Sequence, residues 1–264
     1  MPSPEVLSEI RGDGIAVVTM SRPEIHNAFD DAMIATLTAT LSGLGDDPAV
    51  RAVVLRGAGK SFSAGADLGW MRRMARYSHA ENEADALALA ELMRTLDRLP
   101  KPTVAAVHGA ALGGGVGLVA CCDVAIAAEA ASFALSEVRL GLIPAVISPY
   151  VVAAMGQRAA RRMFLTAERF DARTALRFGL VHEVVAAEAL DAAVEAVLAR
   201  LLEGGPAAQA AAKDLIFAVA QRPVDEDVLR DTARRIADQR ASPEGREGVS
   251  AFLEKREPSW RGPG

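Results

Sequence analysis

The stretch ALGGGVGLVACCD, residues 111–123, places four glycines within five consecutive positions, with almost no charge around them. An apolar run at 103–107 precedes it, and the pattern predicts a strand, a tight turn and a helix in series. Gly117 falls where the pattern indicates helix, although glycine in a helix costs about 0.5–1 kcal/mol relative to alanine. The glycines therefore predict a turn built for close approach to the backbone.

Predicted strands and helices alternate on both sides of this stretch. Strands are predicted at 15–20, 50–55, 103–107 and 124–127, and helices at 28–41, after Asp67 and at 81–99. Strands separated by helices are typical of α/β proteins. From about residue 149 helical patterns dominate, and only 181–185 indicates a further strand. The sequence predicts an α/β core at residues 1–190 and a helical C-terminal region at residues 191–264.

Composition limits the classes of function. The chain has 264 residues and a formal net charge of -5, a poor match for general nucleic-acid binding. Cys121 and Cys122 are adjacent, and their Cα spacing of about 3.8 Å is too short for a mutual disulfide. No signal-peptide pattern is present, and His108 with the glycines argues against a membrane span at 104–122. We expect a cytoplasmic protein with reduced cysteines, no membrane or nucleic-acid partner and, because the histidines lack metal spacing, no metal.

Two glycine-rich turns share one design. Residues 63–67 (SAGAD) and 112–115 (LGGG) each leave a predicted strand and open a predicted helix. A helix start presents free N–H groups and the positive end of the helix dipole, and small residues let a ligand oxygen come close. Two such turns that converge on one point would form an oxyanion hole. The alternative is that the glycines serve only tight turns and close helix packing.

A dinucleotide-binding loop is a rival interpretation of the second turn. Gly113 and Gly115 fit the pattern GxGxxG, and Glu137 lies at about the distance expected for the acidic partner. The third glycine position is occupied by Leu118, so the match is partial.

Glu137, in the run FALSEVRLGLIP, is the titratable group that best suits proton transfer. Burial among its apolar neighbours would raise its pKa toward neutral pH, where a general acid or base works best. The alternative is a carboxylate that pairs with Arg139 or caps a helix.

Three motifs together resemble the crotonase superfamily of enoyl-CoA hydratases and isomerases: SFSAGADL (61–68), GAALGGGVGL (109–118) and SEVRLGLIP (136–144). The runs RPEIHNAF (22–29) and FLEKREPSW (252–260) are similar to the same family, so the resemblance covers nearly the whole chain. It implies an α/β crotonase-like spiral of ββα turns. It also implies a helical C-terminal trimerisation region and a homotrimer or a hexamer, the latter a dimer of trimers.

The resemblance also implies roles for individual residues. The N–H groups of Ala66 and Gly114 would form the oxyanion hole around a thioester carbonyl, with Glu137 as the catalytic acid and base. Coenzyme A, a part of the acyl-CoA substrate and not a permanently bound cofactor, would contact the Ala64 carbonyl. Further implied substrate or coenzyme A neighbours are Glu24, Ile25, His26, Lys60, Gly65, Asp67, Leu68, Gly117, Phe252 and Lys255. Among these, the two lysines are candidates for the phosphates, and Phe252 for the wall of the site.

Gly117 is where the chain departs from two-glutamate hydratases, whose second catalytic glutamate falls at this position. The runs GGGVGLVACCD and SEVRLGLIPAVISP resemble hydratases of branched, carboxylated enoyl-CoAs. These include the 3-methylglutaconyl-CoA hydratase of leucine breakdown and its isohexenylglutaconyl relatives. We expect glycine at 117 to open room beside the acyl chain, and Arg72, Arg73 and Arg139 are candidate cations for a substrate carboxylate.

Three hypotheses remain open at this point. The first is a hydratase of a branched, carboxylated 2-enoyl-CoA. The second is a Δ3,Δ2-enoyl-CoA isomerase, because a single glutamate suffices to move one proton between carbons. The third is a non-catalytic relative that binds CoA esters or RNA, against which the acidic balance and the lack of a long lysine and arginine run weigh.

Overall fold

The computed structural model describes residues 5–261 and contains nine strands and ten α-helices there. The strands are β1 Val6–Ile10, β2 Ile15–Met20, β3 Ala52–Gly57, β4 Thr103–Val107, β5 Ala110–Leu112, β6 Val124–Ala128, β7 Ser132–Ala134, β8 Phe170–Asp171 and β9 Glu183–Val185. The helices are α1 Asp31–Asp46, α2 Leu68–Met74, α3 His79–Asp97, α4 Gly114–Cys121, α5 Ser148–Thr166, α6 Ala172–Phe178, α7 Leu190–Glu203, α8 Pro206–Val219, α9 Glu226–Ala241 and α10 Pro243–Glu254.

The main sheet has six strands in the order β1-β2-β3-β4-β6-β9. β1 pairs with β2 in the antiparallel sense, and the other pairs are parallel. Every residue of β4 is buried, which is the pattern expected of a parallel strand that helices cover on both faces. A second sheet, β5-β7-β8, is short and stands next to the glycine-rich turns.

Most predicted elements are confirmed, with shifts of a few residues at their ends. The strands predicted at 15–20, 50–55, 103–107, 124–127 and 181–185 correspond to β2, β3, β4, β6 and β9. The helix after Asp67 begins as predicted, because the Asp67 side chain accepts a hydrogen bond from the Trp70 N–H at 2.9 Å. The short strands β5, β7 and β8 were not predicted, since two or three residues are too few to establish a period.

The first C-terminal helix packs on the sheet. Leu190, Val194 and Leu198 of α7 belong to a buried apolar cluster with residues of the central strands, so α7 covers one face of the sheet. The division at residue 190 stays a prediction. Helix α8 is tied to the same body by Lys213, whose Nζ lies 2.8 Å from an Asp123 carboxylate oxygen.

The two cysteines, Cys121 and Cys122, are free and buried, as expected. Burial raises the pKa of Cys122 to about 12, so this thiol stays protonated at neutral pH. Among residues 5–261, none of the helices is both long and apolar enough to cross a bilayer.

Candidate active site

The two glycine-rich turns lie side by side. The Ser63 N–H donates to the Ala110 carbonyl at 3.0 Å, and the Leu112 N–H donates to the Ser63 carbonyl at 2.9 Å. Gly65 adopts φ +83°, and a Cβ built there would lie 2.7 Å from the Leu112 oxygen and 3.6 Å from the Gly114 nitrogen. Only glycine fits between these two backbones, and it brings the turns together.

Each turn contributes one free backbone donor. Within residues 5–261, neither the Ala66 N–H nor the Gly114 N–H has a hydrogen-bond acceptor, whereas Asp67 and Gly113 beside them donate to backbone carbonyls at 3.0 and 2.9 Å. Gly114 is the first residue of α4, where the helix leaves its N–H groups unpaired. Each of the two turns singled out in the sequence thus contains a backbone N–H without an acceptor in residues 5–261, and their joint role as an oxyanion hole stays a prediction.

Close contacts explain the glycine run itself. A Cβ on Gly114 would lie 2.3 Å from Cζ of the Phe29 ring, and one on Gly115 would lie 2.7 Å from a carbonyl of the first turn. Gly113 has φ +51°, and a Cβ there would lie 3.2 Å from Glu137 Oε1. Gly113 thus leaves space for a carboxylate, Gly114 for an aromatic ring and Gly115 for a neighbouring backbone.

A cavity of about 580 Å³ opens over the two donors. Its walls are Phe29, Ala66, Trp70, Met74, Asn82, Asp85, Ala86, Leu89, Gly114, Glu137, Gly141, Leu142, Ile143, Pro144, Ala145, Val146 and Ile147. The volume is typical of a small-molecule site, and most of the walls are apolar. Among residues 5–261, no lysine, arginine or histidine contributes to these walls.

Glu137 lines the same cavity as Ala66 and Gly114, the residues of the two free donors. It begins a short 3-10 turn, Glu137–Leu140, that ends at Gly141. Its Oε2 atom is buried and has no hydrogen-bond partner within the described part of the chain, and no ion pair to Arg139 is present there. Burial raises the pKa of Glu137. A partly desolvated carboxylate with one oxygen unpaired is suited to accept and return a proton.

A second carboxylate in the walls, that of Asp85, accepts a hydrogen bond from a neighbouring side chain. The indole N–H of Trp70 donates to Asp85 Oδ1 at 3.0 Å, and the buried Trp70 ring packs against Phe29 with centroids 6.4 Å apart. Neither Trp70 nor Asp85 is predicted as a site residue from the sequence. Asp85 lies in the interior of α3, and only tertiary packing brings it to the cavity.

Gly117 does not line the cavity, and the expectation that it opens room beside the acyl chain is wrong. A Cβ at this position would lie 2.3 Å from Ile147 Cγ2 and 3.3 Å from Met93 Cε. The space that a larger side chain would need is filled by Ile147, which itself lines the cavity. The surroundings of Gly117 are therefore close packing against Ile147 and Met93.

The residues predicted for the nucleotide end gather beside the first turn. His26 Nδ1 lies 3.0 Å from Ser61 Oγ, and the His26 carbonyl accepts a hydrogen bond from the Ala64 N–H at 2.8 Å. Glu24 and Ile25 belong to the same short turn, and Lys60 is exposed next to it. These residues lie together beside the first glycine-rich turn.

The remaining predicted site residues stand outside the cavity. Asp67 caps α2, and Leu68 begins that helix with 69% of its surface exposed. Phe252 is 82% exposed near the end of α10, and Lys255 caps that helix. Neither lines the cavity of its own chain, and α10 packs against α9 and α8, so the role of these two residues in the site stays a prediction. Residues 5–261 hold no cluster of three metal-ligating side chains.

Known proteins match almost the whole chain. A family model described as Enoyl-CoA hydratase/isomerase matches residues 11–263. A crotonyl-CoA hydratase from Syntrophomonas wolfei is 34% identical over 253 residues, 93% of this chain and 94% of the relative. The crystal structure of an enoyl-CoA hydratase from Shewanella pealeana superposes with a TM-score of 0.95 at 47% identity, over 97% of this chain and 96% of that one. Pseudomonas aeruginosa AtuE superposes with a TM-score of 0.93 at 41% identity, over 98% and 100%.

Proposed function

Because the chain belongs to the enoyl-CoA hydratase/isomerase family, we propose that it adds water across the C2–C3 double bond of a 2-enoyl-CoA thioester. Glu137 is the acid and base, and the N–H groups of Ala66 and Gly114 hold the thioester oxygen. One observation carries the proposal: an unpartnered, buried carboxylate oxygen shares a cavity with two unpartnered backbone donors.

Hydration needs only water, the Glu137 carboxylate and the N–H groups of Ala66 and Gly114. The thioester oxygen accepts hydrogen bonds from Ala66 and Gly114, which stabilise the negative charge that builds up on it as the C2–C3 double bond is attacked. Glu137 takes a proton from water while the water oxygen bonds to C3. Glu137 then returns a proton to C2, and the product is a 3-hydroxyacyl-CoA.

The single acid supports a second candidate. Position 117 is glycine, and Asp85 is bonded to Trp70, whereas Glu137 keeps a buried oxygen, Oε2, that has no hydrogen-bond partner in residues 5–261. One carboxylate suffices to move a proton between C4 and C2, as a Δ3,Δ2-enoyl-CoA isomerase does. Loss of the enoyl absorbance of a 2-enoyl-CoA in water supports hydration, whereas double-bond migration in a 3-enoyl-CoA supports isomerisation.

We propose that the rim formed by Glu24, Ile25, His26, Lys60 and Ala64 receives the coenzyme A portion of the substrate. Lys60 is exposed and supplies a cation for a phosphate, and the Ala64 carbonyl has no donor within residues 5–261. The substrate thus brings its own coenzyme A, without a permanently bound cofactor. A Lys60→Gln variant is expected to raise KM for the thioester while kcat is unchanged.

For the acyl group, we propose a branched chain that ends in a carboxylate, such as 3-methylglutaconyl. The cavity walls carry no cation, so the carboxylate must reach the cavity mouth. Arg139, two residues after Glu137, is exposed and has no acidic partner in the described part of the chain, whereas Arg73 is paired with Asp31. Arg139 is therefore the cation we favour.

A matched pair of substrates tests the acyl proposal. 3-Methylglutaconyl-CoA and 3-methyl-2-pentenoyl-CoA have the same branch, but only the first has a carboxylate. We expect a higher kcat/KM for the acid in the unmodified enzyme, and a loss of that preference in Arg139→Gln. Arg200→Gln, which removes an exposed charge from α7, is the control. Equal values for the two thioesters would exclude the carboxylate.

We also propose that the protein assembles as a cytoplasmic trimer or hexamer. Exposed apolar side chains on the last helices support this: Ile216, Leu229, Ile236, Val249, Phe252 and Leu253 are each at least 49% exposed. In an assembly, Phe252 and Lys255 would meet a neighbouring subunit. Light scattering at micromolar concentration is expected to give a multiple of three chains, and filter binding to RNA is expected to be negative.

A further inference from the structure

We propose that Arg22 is a positioning residue for the oxyanion hole, acting through Asp30 and Asp67 on the backbone that aims the Ala66 N–H. The inference deepens the function proposed above and rests on it. Arg22 touches neither the cavity nor any atom of the proposed reaction. Its effect passes through the pairing of two chain segments, 28–30 and 65–67.

The pairing fixes the backbone on both sides of Ala66. The Phe29 N–H donates to the Gly65 carbonyl at 2.8 Å, and the Asp67 N–H donates to the Phe29 carbonyl at 3.0 Å. These two bonds lie on either side of Ala66, so they set the direction of its free N–H. The Phe29 ring in turn packs against Gly114, so the same residue also contacts the second donor.

Arg22 joins the two segments at their ends. One guanidinium nitrogen, Nη1, lies 3.1 Å from Asp30 Oδ2 and donates to the Ala28 carbonyl at 3.1 Å, while Nη2 lies 3.6 Å from Asp67 Oδ2. The Arg22 side chain is only 15% exposed. Each aspartate uses its other oxygen to cap a helix, Asp30 for α1 and Asp67 for α2.

Charge and shape explain why this position needs arginine. Asp30 and Asp67 are 16% and 17% exposed, and without a cation between them two poorly solvated carboxylates would repel each other. Repulsion would separate segment 28–30 from segment 67 onward, and the two bonds beside Ala66 would lengthen. A planar guanidinium reaches both carboxylates at once, which a lysine ammonium does not.

The test compares Arg22→Gln with Arg11→Gln. Arg11, which directly follows β1 in the same hairpin, pairs with two acids, Glu195 at 2.6 Å and Asp13 at 2.7 Å. Arg22 pairs with Asp30, Asp67 and, through Nε at 3.4 Å, Glu5. We expect Arg22→Gln to lower kcat about 10- to 100-fold, since a displacement of about 1 Å can cost 100-fold, with KM unchanged within about threefold. Arg11→Gln is expected to keep both constants.

A spectroscopic signal separates positioning from a general loss of stability. A conjugated thioester such as cinnamoyl-CoA absorbs at longer wavelength when its carbonyl accepts strong hydrogen bonds. Bound to the unmodified protein it is expected to shift to the red, and in Arg22→Gln the shift is expected to shrink although the ligand still binds. A full shift with unchanged kcat in a folded Arg22→Gln protein would overturn the proposal.

Milder variants cover the case in which Arg22→Gln does not fold. Asp30→Asn and Asp67→Asn each keep a good helix cap but remove the charge that Arg22 binds. Each is expected to reduce the red shift and to lower kcat about threefold or more, as a smaller misplacement would. Unchanged kcat and full shifts in both would overturn the proposal. An unmodified protein that hydrates no enoyl-CoA but shows the Arg22-dependent shift would refute the proposed function and leave the positioning role standing.

Discussion

The resemblance to two-glutamate hydratases predicts that positions 117 and 137 match their two glutamates, and in this chain the two positions have opposite environments. Around Glu137 the structure leaves a carboxylate oxygen buried and unpartnered at the wall of a cavity. Around Gly117 it leaves no space, because a Cβ would lie 2.3 Å from Ile147 Cγ2. One position keeps an unsatisfied polar group, and the other is packed with apolar atoms.

The contrast indicates that Glu137 is kept for chemistry and Gly117 for packing. An unpartnered buried carboxylate costs folding free energy, so it persists where a reaction needs it. At Gly117 no polar group is buried, and the close apolar contacts with Met93 and Ile147 stabilise the fold. We therefore expect the proposed reaction to depend on Glu137 and on the backbone donors of Ala66 and Gly114.

The largest expected effect comes from removing the acid. Glu137→Gln keeps the size of the side chain but cannot exchange the proton, so kcat is expected to fall about 100- to 10,000-fold. Binding of a CoA ester, measured by calorimetry, is expected to persist. Glu129→Gln, an exposed glutamate paired with Arg173, is the control and should keep full turnover. Near-normal kcat in Glu137→Gln would remove the assignment.

The next largest effect tests a backbone donor, and the structure selects which one to remove. Proline at 114 would drive new atoms into the Phe29 ring, but position 66 already carries a Cβ. Ala66→Pro therefore removes the N–H with the smaller steric change, and kcat is expected to fall about 100- to 1000-fold. Glu226→Pro, at the first position of the distant helix α9, is the matched control, because proline is well accepted there. Equal rates in a folded Ala66→Pro protein would rule out this donor.

Much of this site was predictable from sequence, for reasons that these residues illustrate. Glu137 was identified because it is an acid among apolar neighbours, and the turns because glycine follows a strand and opens a helix. The family and its crotonase fold are confirmed, since the resemblance depended on three motifs in fixed order. The 3-methylglutaconyl subtype stays a prediction.

What the sequence did not predict depends on tertiary contacts. Asp85 reaches the cavity from the interior of α3, and Ile147 meets Gly117 across 30 positions of chain. Whether a glycine leaves a void or admits a neighbour cannot be read from the glycine itself. Arg22 likewise has no local signal, because its partners Asp30 and Asp67 come from two separate helix starts.

A smaller effect is expected from pH, and its sign follows from burial. Burial raises the pKa of Glu137 above its ordinary value of 4.5, so the ionised form that accepts a proton from water is lost at a higher pH than for an exposed glutamate. The acid limb of kcat/KM should therefore lie above pH 4.5 and fall about tenfold per pH unit.

The same raised pKa predicts a dependence of stability on pH. Ionisation of a buried Glu137 destabilises the native state, so its contribution to stability is present at acid pH and is lost as pH rises through the folded pKa. Glu137→Gln should therefore have a higher Tm than the unmodified protein at pH 7, and the difference should vanish below pH 4.5. A constant difference in Tm would show that Glu137 is not desolvated.

The smallest expected effect, on stability, tests the other side of the contrast, at Gly117. Gly117→Ala forces a methyl group against Ile147, and overpacking of this kind costs about 1–3 kcal/mol in the free energy of unfolding. Gly43→Ala, inside helix α1 with nothing within 4 Å of the new methyl, should instead gain about 0.5–1 kcal/mol. Urea denaturation of the two variants measures the opposite signs directly. Trimming Ile147→Ala in the Gly117→Ala background should recover part of the loss, because the two side chains compete for one space. If Gly117→Ala were as stabilising as Gly43→Ala, close packing would not explain the glycine at 117. A role for this position in binding the acyl group would then be the better explanation.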